Sequence, residues 1–303
     1  MKFVFASDSF KGTLSSAEIG AMLCESARAA FPDCDCRSVT MADGGEGSVA
    51  AVLSAAGGRT VPVRAHDPLG GAVDAFYGVT DGGCAVIETA AASGLTLIDE
   101  ARRDILAASS YGTGELIAHA LDAGYADITL ALGGSATNDG GAGAMAALGA
   151  RFLDADGRTL APNGASLRRI ASIDLSHMHP RLTHARFTAM CDVNSPLTGP
   201  LGATMTYGPQ KGASTPALLG ELEAGMENYA RALRRAFPGR DVEFPGAGAA
   251  GGLGAACALF LGAALKPGAE AVLDLTGFDT LLRGADLAVT GEGRADAQSV
   301  RGK

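Results

Sequence analysis

The chain opens with two copies of one local order: a short apolar run, a glycine-containing polar loop and a helical pattern. The two units span residues 2–31 and 36–56, and their loops read DSFKG and ADGGEG. In the first unit, Ser15 or Ser16 can cap the helix, with Glu18 in its first turn. Strands that alternate with helices in this way predict a parallel sheet, so we expect an α/β fold.

The pattern changes at about residue 60. Residues 61–88 indicate antiparallel or mixed strands, and residues 141–153 and 216–236 indicate helices. A last apolar run, ADLAVT, returns to the first pattern near the C-terminus. We therefore predict a discontinuous domain formed by residues 1–60 and 271–303, with a second α/β domain inserted at residues 61–270.

Composition excludes several classes of protein. The net charge of −9 and the absence of Trp argue against nucleic-acid binding, which favours basic surfaces and exposed aromatic side chains. The start of the chain has no apolar stretch long enough for a secretory signal, and no run of about 18 apolar residues predicts a membrane span. The six Cys have neither zinc nor redox spacing. We expect a cytoplasmic protein with reduced thiols and no membrane partner; a homodimer remains open.

Polar residues flanked by glycine form six clusters. At least four of the clusters directly follow a predicted strand, and in α/β proteins such loops form the ligand crevice. The clusters are DSFKG (8–12), ADGGEG (42–47), GGSATNDGG (133–141), CDVNSPLTGPLG (191–202), YGPQKGA (207–213) and GEGRADAQSVRGK (291–303).

Lysine is rare in this chain, and its positions favour phosphate binding. Three of the five lysines, Lys11, Lys211 and Lys303, lie beside glycine inside the clusters. A lysine is a compact point charge that suits a phosphate oxygen, although a surface lysine is the simpler alternative.

Acidic residues share the same loops. Carboxylates together with amide and hydroxyl oxygens suit Mg²⁺, which bridges protein carboxylates and nucleotide phosphates. Some of them are instead expected to cap helices or close turns. The seven candidates are Asp8, Asp43, Glu46, Asp139, Asp192, Glu292 and Asp296.

The loop GGSATNDGG is the best candidate for a phosphate site. Backbone N–H groups from Gly133 to Ser135, and at the start of the following helix, can bind an anion. The loop matches neither the Walker A pattern nor the dinucleotide fingerprint. Asn138 and Asp139 could equally cap the helix.

In this order, the clusters resemble the bacterial glycerate kinase family that phosphorylates D-glycerate. The resemblance runs from Phe3 to Lys303 and also includes PGAGAAGGLGAA at residues 245–256. It implies two α/β domains, one of them Rossmann-like and discontinuous. It also implies ATP-dependent phosphoryl transfer to glycerate, usually at the 2-hydroxyl, with Mg²⁺.

Two departures from the family pattern stand out. Asn194 and Ser195 replace the Asp and Asn of the usual CDVDNPL, which puts the roles of these two positions in doubt. Family members also continue beyond the GEGR…GK block. The resemblance therefore implies that a C-terminal piece is missing from this sequence.

From these clusters we form a hypothesis about the role of each residue. The glycerate carboxylate pairs with Lys11 or Arg64, the base is Asp8 or Asp43, and Mg²⁺ is held by Asp192 with Asp139 or Glu292. As a set, we predict catalytic roles for Asp8, Lys11, Asp43 and Asp192, substrate binding by Lys11, Glu46, Arg64 and Arg294, and ATP binding by Gly133, Gly134, Ser135, Asn138, Gln210, Lys211 and Lys303.

Two alternative functions are compatible with the same clusters of residues. A non-catalytic sensor would bind nucleotide or hydroxy acid without producing ADP. An oxidoreductase would use the Rossmann-like half, although DSFKG, and not a G-x-G-x-x-G motif, follows the first strand.

Overall fold

The computed structural model describes residues 1–10, 13–42 and 44–293. The strands are β1 (Lys2–Ser7), β2 (Asp35–Ser38), β3 (Arg59–His66), β4 (Ala72–Val79), β5 (Cys84–Glu88), β6 (Asp127–Ala131), β7 (Arg151–Leu153), β8 (Thr159–Leu160), β9 (Ser172–Asp174), β10 (Arg186–Met190), β11 (Ala264–Lys266) and β12 (Leu287–Gly291). The helices are α1 (Ser16–Ala30), α2 (Ser48–Ala56), α3 (Ala90–Ser93), α4 (Tyr111–Asp122), α5 (Ala142–Ala147), α6 (Ala203–Tyr207), α7 (Pro216–Ala236), α8 (Ala249–Phe260), α9 (Gly268–Thr276) and α10 (Phe278–Leu282).

The described strands form three sheets, and the two that contain parallel strands confirm the predicted α/β class. A small parallel sheet has the order β12-β1-β2. A six-stranded sheet has the order β11-β10-β6-β5-β4-β3, in which the first four strands are parallel and β4 and β3 are antiparallel. The third sheet is antiparallel and joins β8, β7 and β9.

The first helix begins where its sequence predicts. The hydroxyl of Ser15 accepts the backbone N–H of Glu18 at 3.2 Å, and the Glu18 carboxylate accepts the N–H of Ser15 at 2.8 Å. This reciprocal pair is a capping box, which satisfies two N–H groups that the helix itself leaves open. The structure thus selects Ser15 from the two predicted caps.

The six-stranded sheet is covered on both faces. Leu116 of α4 and Met145 of α5 are fully buried in the core on one face. On the other face, Val52 of α2 and Val272 of α9 pack with Val86 of β5. Each such side chain stabilises the fold by about 1.5–3 kcal/mol. Helix α2, which the sequence assigned to the first domain, therefore packs on the larger sheet; the domain boundaries themselves stay a prediction.

The long helix predicted at 216–236 is confirmed as α7. Its N-cap is Thr215, whose hydroxyl accepts the N–H of Leu218 at 3.2 Å, and Pro216 occupies the first helical position. Met226 and Tyr229 are fully buried on one face of α7. Within the described part of the chain, no helix combines the length and the apolar character needed to cross a membrane.

The helix predicted at 141–153 is wrong in its second half. Helix α5 ends at Ala147, and Arg151–Leu153 form strand β7. Gly149 adopts a φ of +100°, which ends the helix, and a Cβ at this position would lie 2.0 Å from the carbonyl oxygen of His177. Only glycine fits this left-handed, crowded turn.

Candidate functional site

A cleft of about 990 Å³ lies where the parallel strands of the six-stranded sheet end. The segments that follow β6, β10 and β11 line it, as α/β topology predicts. Residues from four of the six predicted clusters lie on its wall; these are Gly44, Gly45, Glu46, Gly133, Gly134, Ser135, Cys191, Asp192, Val193, Asn194, Tyr207, Gln210 and Lys211.

Lys211 is a buried cation on the wall of this cleft. Only 3% of the residue is exposed. Its ammonium donates to the Ser135 hydroxyl and to the Thr137 carbonyl, each at 2.8 Å. Burial lowers the pKa of Lys211 to about 7, and the negative charge of Asp139 only partly opposes this shift. Because an ammonium has three N–H donors, one donor has no partner among the described residues.

The glycine loop supplies backbone donors at two of its three predicted positions. The N–H of Gly133 donates to the carbonyl of Gly44 at 2.9 Å, so Gly133 joins two loops and is not an open anion donor. The N–H groups of Gly134 and Ser135 have no acceptor within the described residues. Gly134 has a φ of +75°, a conformation that favours glycine. Open N–H groups beside a lysine ammonium can bind an anion.

Asp139, predicted as a metal ligand, is used within the protein and does not line the cleft. Its carboxylate is fully buried and accepts the backbone N–H and hydroxyl of Ser110 at 2.7 and 2.8 Å. It also accepts the N–H groups of Gly141 and Gly143, at the start of α5. Burial raises the pKa of this carboxyl, and the four hydrogen bonds oppose that shift. Asp139 therefore fixes the starts of α4 and α5, and the start of α5 is not an anion site.

Asn138, predicted to bind ATP, is also used within the protein and does not line the cleft. Its side chain is fully buried, and its amide donates to the Thr204 hydroxyl at 3.1 Å. This bond ties the glycine loop to α6 from behind the cleft, where the side chain does not line the wall.

Asp192 and Glu46 are the carboxylates of the described cleft lining. Asp192 follows β10, and its Oδ1 accepts the N–H of Gly268 at the start of α9 at 2.9 Å. The Glu46 carboxylate accepts the hydroxyl of Thr96 at 3.2 Å. Asn194, one of the two residues that depart from the family's CDVDNPL block, also lines the cleft.

The structure separates three other predicted residues from this cleft. Arg64 lies on the outer strand β3 and pairs with Asp74 on the neighbouring strand, so it cannot bind a substrate in the cleft. Asp8 and Glu292 follow adjacent strands of the small sheet and are not on the cleft wall. Their predicted roles as base and metal ligand therefore stay predictions. Lys11, Asp43, Arg294, Asp296 and Lys303 lie outside the described residues.

The sequence patterns did not identify several residues that line the cleft. Arg103 and Thr96 lie in segments without glycine clusters, so no local signal marked them. Ala250 lines the cleft in the block PGAGAAGGLGAA with a φ of +51°, followed by Gly251 at +67° and Gly252 at +96°. A left-handed alanine is strained, and such strain concentrates at functional sites.

Gly251 allows a matched test of this left-handed turn. Gly251→Ala would place a Cβ 2.0 Å from the Thr137 carbonyl oxygen, whereas Gly262, with a nearly equal φ of +64°, has open space around it. We expect Gly262→Ala to cost about 1–2 kcal/mol of unfolding free energy, and Gly251→Ala at least about 3 kcal/mol. Urea denaturation measures both. Equal losses would show that backbone strain alone, and not the contact with Thr137, requires glycine at position 251.

These features define the class: an α/β protein with a cleft at the carboxyl ends of its parallel strands that can accept an anion. The profile of the glycerate kinase family matches residues 3–303. A glycerate kinase of Bacillus subtilis (strain 168) is 45% identical over all of this chain and 79% of its own length. The glycerate 2-kinase of Escherichia coli (strain K12) is also 45% identical, over all of this chain and 80% of its own length.

A solved crystal structure agrees with these relatives. It is of a protein from Salmonella typhimurium LT2 that is assigned as glycerate kinase 2, and it superposes with a TM-score of 0.91 at 47% identity. The match covers all of this chain and 81% of the solved one. The chain therefore belongs to the glycerate kinase family, as the ordered glycine clusters predict, and it is a phosphotransferase.

Proposed function

We propose that this chain transfers the γ-phosphoryl group of ATP to the 2-hydroxyl of D-glycerate, giving 2-phosphoglycerate and ADP. The observation that carries the proposal is the buried ammonium of Lys211 beside the open N–H groups of Gly134 and Ser135. A relative named glycerate 2-kinase supports the choice of the 2-hydroxyl. Transfer to the 3-hydroxyl is the alternative.

The cleft supplies what phosphoryl transfer needs most, which is charge neutralisation and fixed positions. Lys211 and the N–H groups of Gly134 and Ser135 bind the ATP phosphates. Because Lys211 is anchored by two neutral acceptors, its position is set before the nucleotide arrives. Gln210 lines the same wall and extends the polar surface.

The described residues fit one Mg²⁺ that is shared with the nucleotide. No group of three or more His, Cys, Asp or Glu among them is arranged to hold a metal ion by itself. Mg²⁺ is usually bound by one or two protein carboxylates, with phosphate oxygens and water as the other ligands. Asp192 lies on the cleft wall and provides such a carboxylate. When bound, the ion would neutralise charge on the phosphates.

A coupled ADP-release assay with D-glycerate and related hydroxy acids tests this proposal, and ³¹P NMR identifies the product. We expect turnover with D-glycerate and a phosphate ester at C2. An ester at C3 would overturn the regiochemistry alone. Binding of ATP or glycerate without ADP release would favour a sensor, and thermal stabilisation by NAD but not by Mg-ATP would favour an oxidoreductase.

The low pKa of Lys211 predicts weaker ATP binding at alkaline pH. With a pKa of about 7 in the free protein, the ammonium is charged below pH 7 and loses its proton as the pH rises. Asp139 is the charged neighbour that opposes this loss. We expect the ratio of ATP Kd values, wild type over Lys211→Arg, to rise by up to about tenfold per pH unit above 7, since arginine stays protonated.

Isothermal titration calorimetry from pH 6 to 9 measures this ratio. Titration of the nucleotide itself affects both proteins equally and cancels. A ratio that stays constant across this range would show that the ammonium remains charged or does not contact the phosphates.

A further inference from the structure

Arg103 brings a guanidinium to the cleft wall. It follows a short 3₁₀ turn at Glu100–Arg102, and its side chain is 25% exposed. Among the described lining residues, Lys211 is the other cation. The two lie close together, because Nη1 of Arg103 donates to the carbonyl of Gln210 at 3.3 Å.

The rest of this guanidinium has no partner among the described residues. Nε of Arg103 is buried, so a ligand in the cleft cannot reach it, whereas Nη2 is not among the buried atoms and has no acceptor in the described part of the chain. The nearby Glu100 carboxylate is 88% exposed and lies 3.9 Å from Nη1, so it neutralises little of the charge. A ligand in the cleft can therefore accept a charge-assisted hydrogen bond from Nη2.

A second arginine in this protein shows that a guanidinium can bind a carboxylate through Nη2. Arg186 donates from Nε and Nη2 to the two carboxylate oxygens of Asp127, at 2.7 and 3.0 Å. In Arg103, Nε is buried, and Nη2 is the donor left without a partner among the described residues.

We propose that Arg103 binds the carboxylate of the acceptor substrate through Nη2 and so selects small hydroxy acids over neutral polyols. This inference rests on the proposed function. Lys211 is a point charge that suits a phosphate, whereas the planar fork of Arg103 suits a carboxylate. Arg103 thus takes the role that the sequence gave to Arg64, which lies on the outer strand β3.

The test compares kcat/KM for D-glycerate with that for D-glyceramide, in which a neutral amide replaces the carboxylate. We expect Arg103→Met to lower kcat/KM for D-glycerate by about 10²-fold or more. The value for D-glyceramide and the KM for ATP should stay within threefold of wild type. Arg103→Lys, which keeps the charge but loses the fork, should lose at least tenfold on D-glycerate. Arg102→Met is the matched control, since Arg102 is exposed in the same turn, and it should retain wild-type values.

Two results would overturn this assignment. An equal loss on both substrates with a raised KM for ATP would place Arg103 on the nucleotide phosphates. If the Arg103→Met variant keeps the wild-type kcat/KM for D-glycerate, Arg103 does not bind the substrate. If the wild-type chain releases no ADP, the proposed function fails separately. D-glycerate binding measured by calorimetry on wild type and Arg103→Lys then decides the inference, and equal affinities would overturn it.

Discussion

Replacing Lys211 with methionine is expected to lower kcat/KM for ATP by about 10²–10³-fold, the usual cost of removing one donor that stabilises developing charge in a buried site. Methionine has a similar length and no charge, so it fills the space without contacting phosphate. The fold should persist, because both partners of the ammonium, the Ser135 hydroxyl and the Thr137 carbonyl, are neutral acceptors.

The matched control for this change is Lys2→Met. Lys2 lies on β1 of the small sheet, and its ammonium donates to the carbonyl of Arg283, directly after α10, outside the cleft lining. Steady-state kinetics of both variants, with circular dichroism melts, separates lost catalysis from lost folding. If the Lys211→Met enzyme keeps the wild-type kcat/KM, the ammonium does not bind the phosphates. The proposed function would then lose the observation on which it depends.

Asp192→Asn is expected to lower kcat by about 10²-fold or more, because the charge stabilisation supplied by a metal ion is worth several kcal/mol. Asparagine keeps an oxygen that can accept the N–H of Gly268, so the start of α9 should remain in place. The loss of negative charge at that helix start should cost only about 0.3–1 kcal/mol of stability. The variant should also need a higher Mg²⁺ concentration for half-maximal activity.

Asp104→Asn provides the control for Asp192. The carboxylate of Asp104 accepts backbone N–H groups at 3.0 and 3.1 Å in the same way but lies outside the cleft lining. We expect it to keep wild-type activity and an unchanged Mg²⁺ requirement. If Asp192→Asn behaves like Asp104→Asn in a Mg²⁺ titration, the Asp192 carboxylate does not hold the metal ion.

The family and the position of the site could be predicted from the sequence, because both depend on order along the chain. Glycine-rich loops after parallel strands must lie at one edge of the sheet, and residues from four of the six predicted clusters do line one cleft. Lys211 was also found from composition, since a lysine beside glycine is unusual in a chain in which arginine is the main cation.

The direction of each side chain could not be predicted. Asp139 stands in the best candidate loop, yet it turns inward to bind Ser110, which is 29 positions away along the chain. Arg64 and Arg103 look alike in the sequence, but one lies on an outer strand and the other on the cleft wall. Gly133 was predicted to bind an anion, and its N–H is instead used by the loop at Gly44.

The sequence by itself determined the α/β class, the long helix at residues 216–236 and the glycine positions that permit tight loops, because these depend on residues within one turn or one strand of each other. Only the tertiary structure decided which polar groups are left for a ligand. That choice depends on contacts between distant segments, such as Lys211 with Ser135, 76 positions apart. A buried donor or acceptor must find a partner. Donors that find a partner within the protein hold the fold together, and donors at Gly134, Ser135 and Arg103 that have no partner among the described residues define the candidate binding site.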